Sequence, residues 1–187
     1  MSFNVLDESN IVELVHNCSK LRISKFGCHV ISWKINDSEL LWISKCSVMD
    51  GTNPIRGGIP ICFPQFADNG PLKLHGFARE TMWRVIDNDD NVTNKVIMEL
   101  SSSSNTKTIW NYDFILRVTI ELLYSPLVGN SSLVMTMTAT NPSNDVPFDF
   151  STCFHTYFKV STDNMNNLIF TLSSPINNTF IIIIFFI

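Results

Sequence analysis

The sequence predicts an all-β antiparallel sandwich, and three features of the chain carry that expectation. Apolar, β-branched and aromatic residues alternate with polar ones in segment after segment. Helix-period patterns are hard to find, and the alternating segments are separated by short clusters of Asn, Asp, Ser, Gly and Pro. A period of two sends successive side chains to opposite faces of a strand, so each segment can bury one face and wet the other.

Taken in order, strands are expected near residues 11–15, 21–25, 28–35 and 39–43. The run Asn88-Asp89-Asp90-Asn91, between 81–87 and 92–100, is turn chemistry and joins two strands into a hairpin, because Asn and Asp tolerate left-handed backbone angles. Residues 101–108 read as an exposed loop. Phe114, Leu116, Val118, Ile120 and Leu122 alternate with Arg117, Thr119 and Glu121, and Leu133, Met135, Met137 and Ala139 with Thr136, Thr138 and Thr140. Further on, Phe148, Phe150, Phe154 and Phe158 take one face, while Asp149, Ser151, Cys153, His155, Tyr157 and Lys159 take the other. A regular strand there keeps His155 out of the phenylalanine core, on a polar face that is either solvent or the floor of a cleft. Trp33, Trp42, Trp83 and Trp110 read as core or strand-edge residues rather than a sugar-stacking platform. His16 and His29 read as structural.

With 187 residues, 45% of them hydrophobic and 16% charged, the chain suits one globular domain with a sizeable core. A net charge of −4, with 13 Lys and Arg and no basic run, disfavours nucleic acid as a partner. Cys18, Cys28, Cys46, Cys62 and Cys153 are odd in number and scattered without a C-x-x-C pair. They favour neither a disulfide framework nor a zinc site and read as buried thiols in a reducing compartment. The N-terminus lacks the basic and apolar regions of a secretory signal, so a cytoplasmic location is expected and the N-x-S/T patterns read as turns. The body of the chain extends to residue 174, and 175–187 form an atypical, uncharged apolar tail of high β-propensity. That tail is far short of the roughly 20 residues a membrane-spanning helix needs, so no membrane partner is expected.

Residues 53–79 gather most of the candidate chemistry. Arg56, Gln65, His75 and Arg79 sit there among glycines and prolines that fix backbone shape, which is how a loop presents polar groups to a small ligand. Each also has a plainer use. Arg56 would tie down the glycine loop, Arg79 would pair near Glu80 or with a strand-end carbonyl, and His155 would be a hydrogen-bonded structural residue. His75 stands open between a ligand contact and a packing role, and Gln65 leans to the structural side.

Three segments then acquire a common meaning. Arg56-Gly57-Gly58-Ile59-Pro60-Ile61-Cys62-Phe63-Pro64-Gln65-Phe66, His75-Gly76-Phe77-Ala78-Arg79 and Phe154-His155-Thr156-Tyr157-Phe158 resemble, in order and spacing, motifs of the hexose-6-phosphate mutarotases. These are the glucose-6-phosphate 1-epimerases of the aldose 1-epimerase superfamily, including plant proteins described as apospory-associated. The resemblance corresponds to the N-terminal part of a family member. It implies a galactose-mutarotase-like antiparallel β-sandwich, incomplete at its C-terminus, in agreement with the strand reading. It further implies that His155 is the general acid and that Arg56 and Arg79 bind the sugar phosphate; His75 joins them as a candidate substrate-binding residue.

The implied reaction interconverts α and β anomers of hexose 6-phosphates, chiefly glucose 6-phosphate. A proton goes to the ring oxygen while another group takes the proton of the anomeric hydroxyl; the ring opens, the aldehyde turns and the ring recloses. Histidine titrates near neutral pH, and the arginine fork matches a phosphate, so two arginines favour a dianionic sugar phosphate over a free sugar. No metal or nucleotide cofactor is needed. Two departures from the family pattern stand out. Leu74 occupies a position where the family often has a substrate-contacting glutamine. The family's general base, a C-terminal glutamate, has no counterpart, since no Asp or Glu follows Asp163. The departures imply weak or absent activity for this chain as a truncated product. A non-catalytic carbohydrate-binding module is the alternative, and a sandwich used only for protein contacts ranks behind it.

Overall fold

Alternation decides the sheets. The computed structural model describes residues 7–87, 93–127 and 129–160, together with the backbone of two strands, Thr171–Leu172 and Thr179–Phe185. The first sheet runs in chain order through β1 (Ile11–His16), β2 (Ser19–Ser24), β3 (His29–Ile35) and β4 (Ser38–Glu39), all antiparallel. Asn36 and Asp37, with φ of 47° and 64°, make the two-residue turn between β3 and β4. Both central residues are left-handed there, which Asn and Asp tolerate better than most side chains. A two-stranded ribbon pairs β5 (Ile61–Cys62) with a later segment described below.

The second sheet is built on β6 (Arg84–Asp87), β7 (Lys95–Ser101), β8 (Ile115–Ser125) and β9 (Asn130–Thr140). After the ribbon strand β10 (Cys153–Phe154), the strands β11 (Thr171–Leu172) and β12 (Thr179–Phe185) complete it in the order β11-β12-β9-β8-β7-β6. Val118 lies opposite both Met98 and Met137, and Ile120 opposite Val96 and Met135. These inward side chains are fully or almost fully buried and share one core with Leu14, Leu21, Ile23, Val30 and Trp33 of the first sheet. The sheets are also stitched at one edge, where Val15 N–H donates to the Thr93 carbonyl at 2.9 Å.

On the outer face of the second sheet, Glu99 is only 2% exposed. Arg84, Arg117 (2.7 Å) and Ser101 (2.9 Å) all donate to its carboxylate. The Arg84 hydrogen bond, first among these, outweighs burial and holds the Glu99 carboxyl down to about 2.

Several sequence expectations are corrected. Residues 101–108 are not simply a loop, because α1 (Ser104–Ile109) begins there. Ser103 caps it: its Oγ accepts from Thr106 N–H while Thr106 Oγ1 accepts from Ser103 N–H, a reciprocal box closed by Thr instead of Glu or Gln. Residues 39–43 stay with β3 only through Glu39, opposite Lys34, and the Leu40 N–H bond to the Trp33 carbonyl, and then leave it for other partners through bridges at Leu41 and Ile43. Residues 148–159 are strand only at Cys153–Phe154, yet Phe154 is buried and Phe148, Phe150 and Phe158 pack against the core as the alternation requires. The tryptophans do keep to core or edge positions: Trp33 and Trp83 are core residues, Trp110 packs against the core, and Trp42 is 46% exposed between the bridges at Leu41 and Ile43. Of the cysteines, Cys46 is exposed and Cys18 and Cys153 are half-buried, so burial is complete only for Cys28 and Cys62. The turn at 88–91 lies outside the described residues.

Phe63 is the aromatic hub beneath the motif loop. It is fully buried, with ring centroids 5.3 Å from Phe150, 5.4 Å from Phe114, 5.6 Å from Trp110 and 6.5 Å from Phe77. Truncation removes contacts from four rings at once, so Phe63→Ala should cost about 3–5 kcal/mol of stability. Urea denaturation against the parent chain measures this, and a loss under about 1 kcal/mol would show that the hub collapses around the gap.

Candidate active site

Backbone pairing assembles the site. In the ribbon, Phe154 lies opposite Ile61 and Cys153 opposite Cys62. Two prolines shorten this strand pair, since proline has no N–H to give back. His155 N–H donates to the Pro60 carbonyl at 2.9 Å, and Ser151 N–H to the Pro64 carbonyl at 3.0 Å. Beyond them, Tyr157 N–H donates to the Gly58 carbonyl at 2.8 Å, and the Tyr157 carbonyl accepts from Trp42 N–H at 2.9 Å. The segment carrying His155 is thereby laid along the Arg-Gly-Gly loop.

The second motif folds onto the same loop. Phe77 and Ala78 N–H groups both donate to the Phe63 carbonyl, at 3.0 and 3.2 Å. Gly76 makes this approach possible: φ is 68°, and a Cβ there would lie 2.2 Å from the Phe63 oxygen. His75 precedes it with φ of 67°, a left-handed conformation that is uncommon for a side chain of this size. Three bonds hold it there. Its N–H donates to the Ala67 carbonyl at 2.9 Å, its carbonyl accepts from Phe63 N–H at 3.3 Å, and its Nδ1 accepts from Ala67 N–H at 3.0 Å.

The two motif histidines meet. The His75 and His155 ring centroids are 5.4 Å apart, edge to face at 82°. Phe66 touches both, at 5.5 and 6.4 Å, and Tyr157 stacks on His155 at 4.7 Å and 13°. Burial, then the Arg79 guanidinium and a charge on His155, hold His75 below the usual histidine range. Because Nδ1 accepts a backbone bond, neutral His75 carries its proton on Nε2 and can offer it to a ligand.

The arginines differ. Arg79 is largely buried, with a side chain 16% exposed; its Nη2 donates to the Leu74 carbonyl at 2.7 Å and its Nε stands 3.9 Å from Glu80 Oε1. That Nε is buried without a hydrogen bond. Arg56 is exposed, and only its backbone is tied, through its N–H to Ser47 Oγ and its carbonyl to Ser44 N–H, both at 2.9 Å. Among the described residues no ion pair or hydrogen bond engages the Arg56 side chain, and none joins it to the histidines.

Other polar residues build the frame. Gln65 is buried and staples the loop after it, accepting from Leu72 N–H at 2.9 Å and donating to the Ala67 carbonyl at 3.0 Å. His29, fully buried, meets the Gly57 carbonyl at 2.7 Å; a carbonyl only accepts, so Nε2 carries the proton. A cleft of about 300 Å³ lies between Gln65, Trp110, Asp149 and Ser151, and neither motif histidine lines it. Sequence reasoning passed over Tyr157 and Trp42 as site residues. The period of two that put His155 on the polar face put Tyr157 beside it and was the available signal.

Comparison with solved structures places this fold among the mutarotase-like β-sandwiches. A candidate mutarotase from Salmonella typhimurium superposes with a TM-score of 0.65 at 28% identity, over 80% of this chain and 48% of that one. A galactose mutarotase related enzyme from Lactobacillus acidophilus shares the fold, with a TM-score of 0.63 at 20% identity over 84% of this chain and 51% of the other. The aldose 1-epimerase family pattern spans residues 10–174, and the chain belongs to that family. A candidate glucose-6-phosphate 1-epimerase of Cenchrus ciliaris is 36% identical over 162 residues, 82% of this chain and 47% of its own length. One of Escherichia coli K12 is 30% identical over 164 residues, 86% of this chain and 52% of its own. The chain thus spans about half the length of the curated relatives it matches.

His29 links the site to pH. Burial above all, with the Arg79 charge adding to it and the Gly57 bond opposing, pushes the His29 imidazole down to about 4 from an unfolded value of 6.5. The unfolded chain therefore binds a proton that the folded one refuses. The contribution to stability is complete above pH 6.5 and is lost as pH falls toward 4, about 3 kcal/mol in all. Denaturant midpoints measured across this range should fall more steeply for the parent chain than for His29→Gln. Parallel curves would contradict the assignment.

Proposed function

We propose that the protein acts on hexose 6-phosphates, chiefly glucose 6-phosphate, and interconverts their α and β anomers by general acid/base ring opening. The observation that supports this most is the meeting of His75 and His155 beside Arg79, brought together from distant motifs in a fold of the aldose 1-epimerase family. The names of the Cenchrus ciliaris and Escherichia coli relatives point to the same substrate.

In this reading His155 delivers the proton to the ring oxygen. Neutral His75 donates from Nε2 to a sugar oxygen, since its other nitrogen is occupied by Ala67 N–H. Arg56 offers an unengaged guanidinium to the phosphate, and Arg79 adds positive charge. The reading gives this chain the acid and the phosphate contacts; the glutamate that serves the family as base is not among its residues, so the anomeric hydroxyl proton passes to water and the expected exchange is weak. It also carries a cytoplasmic location and no nucleic-acid or membrane partner. Among the described residues no helix is long and apolar enough to cross a membrane.

Two-dimensional exchange NMR of α- and β-glucose 6-phosphate tests the proposal. Exchange above the spontaneous rate should fall by about 10²-fold or more in His155→Ala. Arg56→Ala should raise KM for glucose 6-phosphate roughly 10-fold, the worth of a charge-assisted contact, while leaving exchange of free glucose unchanged. Saturable binding without exchange would favour the carbohydrate-binding module instead, and absence of binding would overturn both.

A further inference from the structure

We propose that Tyr157 is the positioning residue of this site: its phenol ring fixes the plane in which the His155 imidazole meets the substrate. The inference rests on the reading of His155 as the proton donor.

A histidine that transfers protons needs a fixed ring orientation, and a hydrogen bond to its second nitrogen usually supplies it. Among the described residues no hydrogen bond reaches either ring nitrogen of His155. What surrounds the imidazole is aromatic. Tyr157 lies nearly parallel to it, at 13° and 4.7 Å, His75 presents an edge at 5.4 Å, and Phe66 closes a further side at 6.4 Å. Residues two apart on an extended segment leave the backbone about 6.6 Å from each other, so the two rings lean together to reach their stack.

The support for that stack is itself held rigidly. Tyr157 N–H donates to the Gly58 carbonyl at 2.8 Å, and the Tyr157 carbonyl accepts from Trp42 N–H at 2.9 Å. The Trp42 ring flanks the phenol at 6.1 Å, tilted by 35°. Trp42 belongs to the segment that leaves β3 after Glu39, whose carboxylate accepts from Trp33 N–H and Leu41 N–H, both at 3.0 Å. Tyr157 is thus a braced plate against one face of the acid, and the contribution comes from its ring rather than its hydroxyl.

The test uses the full chain and the ring protons of His155, whose resonances His155→Gln identifies among the four histidines. Stacking on a phenol shifts those protons upfield. Tyr157→Phe should keep the shift, whereas Tyr157→Leu and Tyr157→Met should abolish it in proteins whose near-ultraviolet circular dichroism remains folded. Tyr157 is 36% exposed, so two aliphatic variants provide a folded comparison. In anomer exchange the aliphatic variants should lose roughly 3- to 10-fold in kcat, the range a ring pair of this kind carries, with KM unchanged and activity restored by Phe. An unmoved His155 resonance in the aliphatic variants, or a Phe variant that behaves like Leu, overturns the proposal. A parent chain without catalysed exchange overturns the reaction reading, and the chemical shifts then decide the stack by themselves.

Discussion

The antiparallel pairing of Ile61–Cys62 with Cys153–Phe154 joins segments some ninety positions apart, as the hydrogen bond from Thr152 Oγ1 to the Cys62 carbonyl also shows. Every contact between the two motif histidines follows from it. The pairing sets the His155 amide against the Pro60 carbonyl and the Tyr157 amide against the Gly58 carbonyl, and so lays this backbone along residues 58–60. Closing so long a loop costs chain entropy. The buried hub around Phe63, one residue past the strand, offsets that cost.

The site also concentrates conformations that side chains adopt reluctantly. His75 is left-handed, Ala67, with which it exchanges two hydrogen bonds, is left-handed as well, and the imidazole of His29 is buried with Nδ1 unpaired. Such features each cost on the order of 1–3 kcal/mol and persist where the surroundings over-determine them. Here the surroundings are backbone groups: the Phe63 carbonyl, the Gly57 carbonyl and the Ala67 amide. A loop held by backbone bonds leaves its charged side chains available, as Arg56 is.

Much of this was legible in residues 148–159. The phenylalanine alternation put His155 on the polar side, and the structure keeps that phase even though only two residues qualify as strand. The difference has a physical cause in Pro60 and Pro64, which accept bonds from His155 and Ser151 but cannot return them. The sequence was silent where partners are distant. Cys62 and Cys153 form no local motif yet face each other across the ribbon, and the neighbouring Cys153 thiol, together with burial, pushes the Cys62 thiol up. Nothing local marks Glu99, and it is strand register that sets Arg84 and Arg117 on either side of it. The helix after Ser103 leaves little trace in the sequence because its box is closed by Thr106, a weaker signal than Glu or Gln.

By itself the sequence determined which face of each segment is apolar and which three motifs carry charge and imidazole. These follow from side-chain period and local backbone preference, interactions whose range is a few residues. Only the tertiary structure decided that His75 stands edge-on to His155, that Arg79 is partly spent on the Leu74 carbonyl while Arg56 is not, and that Tyr157 covers one face of the His155 imidazole. Those outcomes depend on which strand lies beside which, and strand order is set by burial of a shared core among residues that no local pattern relates.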